Sequence, residues 1–160
     1  MGRTATAYIG MGSNLGDRAA AIDAALEMLE ATPGLHIRRS SRVRETAPVG
    51  KTDQPRFLNA AVEVSTSLAP STLLHRLLEI EARLGRVRRE RWGPRIIDLD
   101  LLMHGRRALK TRELTLPHPR LAERAFVLES LHDLCPDADV PGTGCTVSEL
   151  LERCVERSPR

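Results

Sequence analysis

A chain of 160 residues is long enough for one domain with a real hydrophobic core, and 41% apolar against 28% charged residues is ordinary for a soluble globule. The net charge of +3 is modest and its positive part is concentrated locally, which favours an anionic ligand over general coating of nucleic acid. No apolar run approaches the roughly 20 residues of a membrane span, and no signal pattern opens the chain.

The first strand is expected over 4–11, followed by a turn, Gly12-Ser-Asn-Leu-Gly-Asp17, with Asp17 as N-cap. A helix over 19–30 carries Ile22, Leu26 and Leu29 on one face and ends at Pro33-Gly34. A strand over 36–45 and a Pro, Gly and Asp-rich loop over 46–55 come next. The segment 57–66 alternates cleanly: Leu58, Ala60, Val62 and Val64 share one face, and Phe57, Asn59, Ala61 and Glu63 the other. A second helix over 70–84 starts on Pro70 at N1 and is closed by Gly85, with Leu73, Leu77, Ile80 and Leu84 as its core stripe. An arginine-rich loop leads into an apolar strand over 96–103. Short strands near 108–110 and 113–116, a helix over 121–134, and a last helix behind a capping box, Thr146-Val-Ser-Glu149, complete the chain. The order β-α-β-β-α-β is that of a ferredoxin-like split βαβ unit. With no repeat, low-complexity segment or second domain, one domain is expected over 1–160.

The strand over 96–103 carries the sharpest chemical signal. Asp98 and Asp100 alternate with Leu99 and Leu101, so both carboxylates point to one face, with Cα atoms roughly 6–7 Å apart. Two carboxylates on so apolar a strand repel one another and lose hydration, and call for a cation. Immediately upstream, Arg86, Arg88, Arg89, Arg91 and Arg95 fall within ten residues. Guanidinium groups grip phosphate oxygens bidentately and keep their charge. A carboxylate pair that can hold Mg²⁺, beside a loop that can hold phosphate, suggests a metal–polyphosphate site. The plainer readings are an edge strand that uses charge against aggregation and a solvated basic loop, or one that touches RNA.

Other features are weaker. Gly10-Met-Gly-Ser-Asn-Leu-Gly16 has the spacing GxGxxxG and reads as a tight strand-to-helix turn, since neither a dinucleotide fingerprint nor a P-loop is present. His118, between Pro117 and Pro119, is either structural or a phosphate or nucleotide contact. Tyr8, Phe57, Trp92 and Phe126 are the whole aromatic content, too few for a sheet that stacks several bases. Cys135, Cys145 and Cys154, odd in number and without metal-site spacing, read as reduced thiols of a cytoplasmic protein.

Several of these segments coincide with one family. Gly12-Ser-Asn-Leu-Gly16, Phe57-Leu-Asn-Ala-Ala61, Gly85-Arg-Val-Arg88, Arg91-Trp-Gly-Pro-Arg-Ile-Ile-Asp-Leu-Asp100, Leu116-Pro-His-Pro119 and Glu123-Arg-Ala-Phe126 resemble 6-hydroxymethyl-7,8-dihydropterin pyrophosphokinases of folate biosynthesis, over about 8–136. The resemblance implies an α+β, ferredoxin-like three-layer α-β-α fold around a mostly antiparallel sheet. It implies transfer of pyrophosphate from ATP to the pterin's hydroxymethyl group, with release of AMP. By motif match, Asp98 and Asp100 would hold two Mg²⁺ ions, and Arg86 and Arg95 would steady the transferring group. Glu81, Arg88, Trp92, Leu101, Thr115, His118 and Arg124 would bind ATP. Thr46, Ala47, Val49, Phe57, Asn59, Trp92, Asp98 and Phe126 would bind the pterin, stacked between Phe57 and Phe126. Phe57 stands where the family often has Tyr, and Glu113 where some members place an arginine near ATP. The loop between Arg88 and Trp92 looks one residue shorter than in some members. The expected partners are ATP and the pterin, without nucleic acid or membrane, and a monomer is expected.

Two other readings compete. A nucleotidyltransferase also joins a Gly-Ser turn to an acidic pair, but there the two lie close in sequence, and here Ser13 and Asp98 are far apart. An RNA-binding ferredoxin-like domain needs several aromatics on its central strands.

Overall fold

Alternation along β4 (Phe57–Thr66) builds the molecule. Its even-numbered apolar residues pack under α1 (Arg18–Glu30) and α2 (Pro70–Arg83), together with Ile9, Leu73, Leu77 and Leu101. Ala61, on the opposite face, joins a second core with Leu102, Leu128, Leu131 and Val147 under α3 (Ala125–Leu134) and α4 (Val147–Arg157). Helices therefore cover both faces of one sheet, in three layers. The computed structural model describes residues 3–47, 53–85 and 96–157.

The sheet runs β2 (Leu35–Ser40), β4, β1 (Ala5–Ser13), β5 (Asp98–His104), with β3 (Arg44–Thr46) also on β4. All the described pairings are antiparallel. That order, with the helices after β1 and β4, is the ferredoxin-like arrangement read from the sequence. Two short hairpins flank it: β6 (Leu109–Lys110) with β7 (Thr115–Leu116), and β8 (Asp139–Val140) with β9 (Cys145–Thr146).

Local signals held where side chains satisfy backbone groups. Asp17 accepts from the Ala20 N–H at 3.1 Å at the start of α1. Thr146 and Glu149 cap α4 reciprocally, at 3.1 and 3.2 Å. Gly85, at φ +85°, ends α2.

Four expected boundaries move. The strand expected over 36–45 is two strands, because Ser40 pairs with Val62 and Arg44 with Asn59, so one strand spends an extra residue. Ser41 bridges the break: its N–H donates to the Ala61 carbonyl and its Oγ accepts from the Ala61 N–H, both at 2.8 Å. The helix expected over 121–134 begins as a 3-10 turn (Leu121–Glu123), and α3 starts only at Ala125, because Arg124 is extended. Gly12 and Ser13 belong to β1 and not to the turn, and β5 begins at Asp98 and not Ile96.

Arg44 and Asp133 join the sheet edge to α3. Arg44 Nη1 donates to Asp133 Oδ2 at 2.8 Å and Nη2 to Oδ1 at 2.9 Å. The Arg44 guanidinium, aided by the Arg42 N–H, holds the Asp133 carboxyl at about 2, below its ordinary 3.8. A lowered carboxyl pKa stabilises the fold above the ordinary value, and the contribution is lost as pH falls through the folded value. Asp133→Asn is expected to cost about 1–2 kcal/mol at neutral pH, allowing for partial solvent screening. Urea unfolding should show that gap shrinking between about pH 4 and pH 2. A gap of constant size across that window would contradict the assignment.

Candidate active site

The site is built from two rows that cross three strands. Asn59 pairs with Gly12, and Gly12 pairs with Asp98; Ala61 pairs with Gly10, and Gly10 pairs with Asp100. Paired residues share a face, so each aspartate looks across a glycine toward β4. Two strand spacings separate Asn59 from Asp98, about 10 Å. The glycines leave that span open. A Cβ on Gly12 would stand 3.0 Å from Asn59 Oδ1 and 3.5 Å from Phe57 Cδ1, and one on Gly10 would meet Leu102 at 3.4 Å.

A pocket fills this span. Its floor is Gly10, Gly12 and Asn59, one wall is Phe57 with Thr46 and Ala47, and the facing layer is α3 with Phe126 and Arg124. Asp98 and Asp100 close its far side. Asn59 donates through Nδ2 to Thr46 Oγ1, which holds the amide against the β3 wall. The Arg124 guanidinium stacks over the Phe126 ring, 5.9 Å from its centroid. Two rings and a polar rim suit a flat heterocycle.

A second groove lies on the other side of Asp100. Leu74, Leu101, Leu114, Thr115 and His118 line it, and Asp100 lines both cavities. His118 Nδ1 accepts the Arg120 N–H at 3.2 Å, which leaves the proton on Nε2, facing Asp100 Oδ1 across 4.0 Å. Burial, reinforced by Arg124, pushes the imidazole pKa below its ordinary value. At the groove's rim, Glu113 lies 3.3 Å from His75 Nε2.

Glu81 stands apart from both cavities. It is 3% exposed, and its carboxylate accepts the Leu99 N–H at 2.7 Å, fastening α2 to the backbone between the two aspartates. Among the described residues no cluster of three or more acidic, His or Cys groups forms a metal cage. A pair of carboxylates fits Mg²⁺ bound chiefly through a ligand's phosphates, since that ion retains waters and uses one or two protein carboxylates.

The geometry thus brings Thr46, Ala47, Phe57, Asn59, Asp98, Phe126 and Arg124 to one pocket, and Leu101, Thr115 and His118 to the groove. Val49, Arg86, Arg88, Trp92 and Arg95 lie outside the described residues. Sequence reasoning missed Gly10 and Gly12 as a floor, because their string reads as a strand-to-helix turn. It also missed Ser130, one turn beyond Phe126, which lines the pocket and whose buried Oγ has no hydrogen-bond partner among the described residues.

Residues 8–136 match the family model described as 7,8-dihydro-6-hydroxymethylpterin-pyrophosphokinase (HPPK). This chain belongs to that family. It is 48% identical over 147 residues to the 2-amino-4-hydroxy-6-hydroxymethyldihydropteridine pyrophosphokinase of Methylorubrum extorquens, covering 92% of each chain. It is 43% identical over 143 residues to the Bacillus subtilis protein of the same name, covering 89% of this chain and 86% of that one. In fold it is similar to the crystal structure of wild-type Plasmodium falciparum HPPK-DHPS with pteroate, with a TM-score of 0.78 at 18% identity. That superposition covers 98% of this chain but only 43% of the Plasmodium chain. No helix among the described residues is long and apolar enough to cross a membrane.

Proposed function

We propose that Asp98 and Asp100 mark the reaction centre of a single pyrophosphokinase domain, with the pterin in the ring-walled pocket and ATP in the groove beside it. The chain transfers pyrophosphate from ATP to the hydroxymethyl group of 6-hydroxymethyl-7,8-dihydropterin and releases AMP, a reaction of folate biosynthesis. The observation that supports the site assignment is that Asp100 lines both cavities, so in this reading a single carboxylate would border both substrates.

In this reading Phe57 and Phe126 stack on the pterin and Asn59 meets its polar edge, which points the hydroxymethyl group at the acidic pair. The oxygen of that group attacks the β-phosphorus in line. The new O–P bond forms as the bond from the β-phosphorus to the bridging oxygen breaks, the hydroxyl proton is released, and AMP departs with that oxygen. Little covalent chemistry is asked of the protein, and its task is positioning and charge neutralisation. Asp98 and Asp100 would hold Mg²⁺, two ions in this reading, which neutralises triphosphate charge when bound. Arg86 and Arg95 would add cationic donors to the transferring group, and Arg88 would do so for ATP. Val49 and Trp92 complete the proposed pterin contacts. His118 contributes its Nε2 proton on the ATP side. Glu81 acts from beneath, holding the Leu99 amide. The free thiols of Cys135 and Cys145 support a reducing, cytoplasmic setting.

One incubation tests the reaction. Protein, Mg²⁺, ATP and the reduced pterin should yield AMP and pterin diphosphate in equal amounts, separated by ion-exchange chromatography. ADP as the nucleotide product would exclude pyrophosphoryl transfer.

A further inference from the structure

The pterin pocket has walls in two layers. One is the sheet, with Phe57 and Asn59 on β4 and Thr46 on β3, and the other is α3 with Phe126. Among the described residues no backbone hydrogen bond joins β3 to α3. Side chains do so instead. Arg44 meets Asp133 as a two-point fork at 2.8 and 2.9 Å, the Arg42 N–H donates to Asp133 Oδ2 at 3.1 Å, and Arg44 Nε lies 3.5 Å from Glu129. Arg44 is two residues from Thr46 along β3 and pairs with Asn59, so it shares their face of the sheet. Asp133 lies two helical turns beyond Phe126, on the same face of α3. The fork thus stands behind the pocket, with one arm on each wall. The side chains are only 20% and 17% exposed, so solvent competes weakly.

We propose that Arg44 and Asp133 are positioning residues for the pterin: their fork sets the gap between the β3 and α3 walls, and with it the fit of the flat ring. The inference rests on the assignment of this pocket to the pterin. Ring stacking is short-ranged, so a shift of a few tenths of an ångström in one wall forfeits contact over the whole face. A planar fork fixes both distance and angle, which the point charge of a lysine does not. A tie that served stability alone would lower the melting temperature and leave binding by the folded protein intact.

The test measures dissociation constants for the pterin and, separately, for Mg-ATP by titration calorimetry. The proteins are wild type, Asp133→Asn, Arg44→Lys and the double variant. Each single change is expected to weaken pterin binding about tenfold and Mg-ATP binding less than about twofold. The double variant should bind the pterin about as weakly as the weaker single variant, since the two side chains act as one unit. Pterin affinity unchanged in either folded single variant, or equal losses for both ligands, overturns the proposal. Arg44→Lys keeps charge and bulk, so a folded variant is available even if Asp133→Asn is too unstable to assay. A wild-type protein that binds no pterin would overturn the pocket assignment itself, and the strap with it.

Discussion

Replacing Asp100 by alanine is expected to reduce turnover by about a thousandfold or more while the fold survives. Asp100 is the residue that lines both cavities, and its side chain is 37% exposed, so it supports little packing. Its carboxylate stands on the same strand face as that of Asp98. Bringing a triphosphate to an attacking hydroxyl concentrates negative charge, and the carboxylate pair is the proposed means of holding the cations that offset it. Asp98→Ala should behave alike. The checks are steady-state turnover with saturating Mg-ATP and a melting curve. Near-normal turnover in both variants would sink the assignment of the pair as metal ligands. Lost turnover with a collapsed melting transition would show a structural role instead.

Gly12→Val is expected to weaken pterin binding by about a hundredfold while Mg-ATP binding stays close to wild type. Gly12 sits in an extended strand between Asn59 and Asp98, where a β-branched residue is locally favourable. The cost falls on the pocket. The Cβ alone crowds Asn59 Oδ1 at 3.0 Å, and the two methyl groups beyond it enter the space reserved for the ring. The groove on the other side of Asp100 does not include Gly12. Calorimetric titration of each ligand decides it. Wild-type pterin affinity in Gly12→Val would mean that the floor of the pocket lies elsewhere.

These two predictions draw on different depths of information. Asp98 and Asp100 are legible in the chain itself, because a strict two-residue period inside an apolar run puts both carboxylates on one face whatever surrounds them. Phe57 and Asn59 are legible for the same reason, from the alternation of their own strand. Gly12 is not. Its string looks like a turn, and only the pairing of β1 with both β4 and β5 turns a missing side chain into a floor. Ser130 shows the same limit, since nothing near it in the chain distinguishes a pocket serine from a surface one. Arg44 was hidden inside a strand read as continuous, where an extra residue at the break alters the pairing of everything beyond it.

Local chemistry by itself determined the elements, the order of the ferredoxin-like fold, the acidic pair, the ring-and-amide face and the family motifs. Periodicity, capping and turn residues act over a few neighbours and need no partner to be read. The tertiary structure alone decided which strands lie side by side. That in turn decided that Gly10 and Gly12 open a channel, that Asp100 borders two cavities, that Glu81 fastens the Leu99 amide, and that Arg44 reaches Asp133. Each of these is a contact between residues far apart in the chain, whose choice depends on how both faces of the sheet are buried at once.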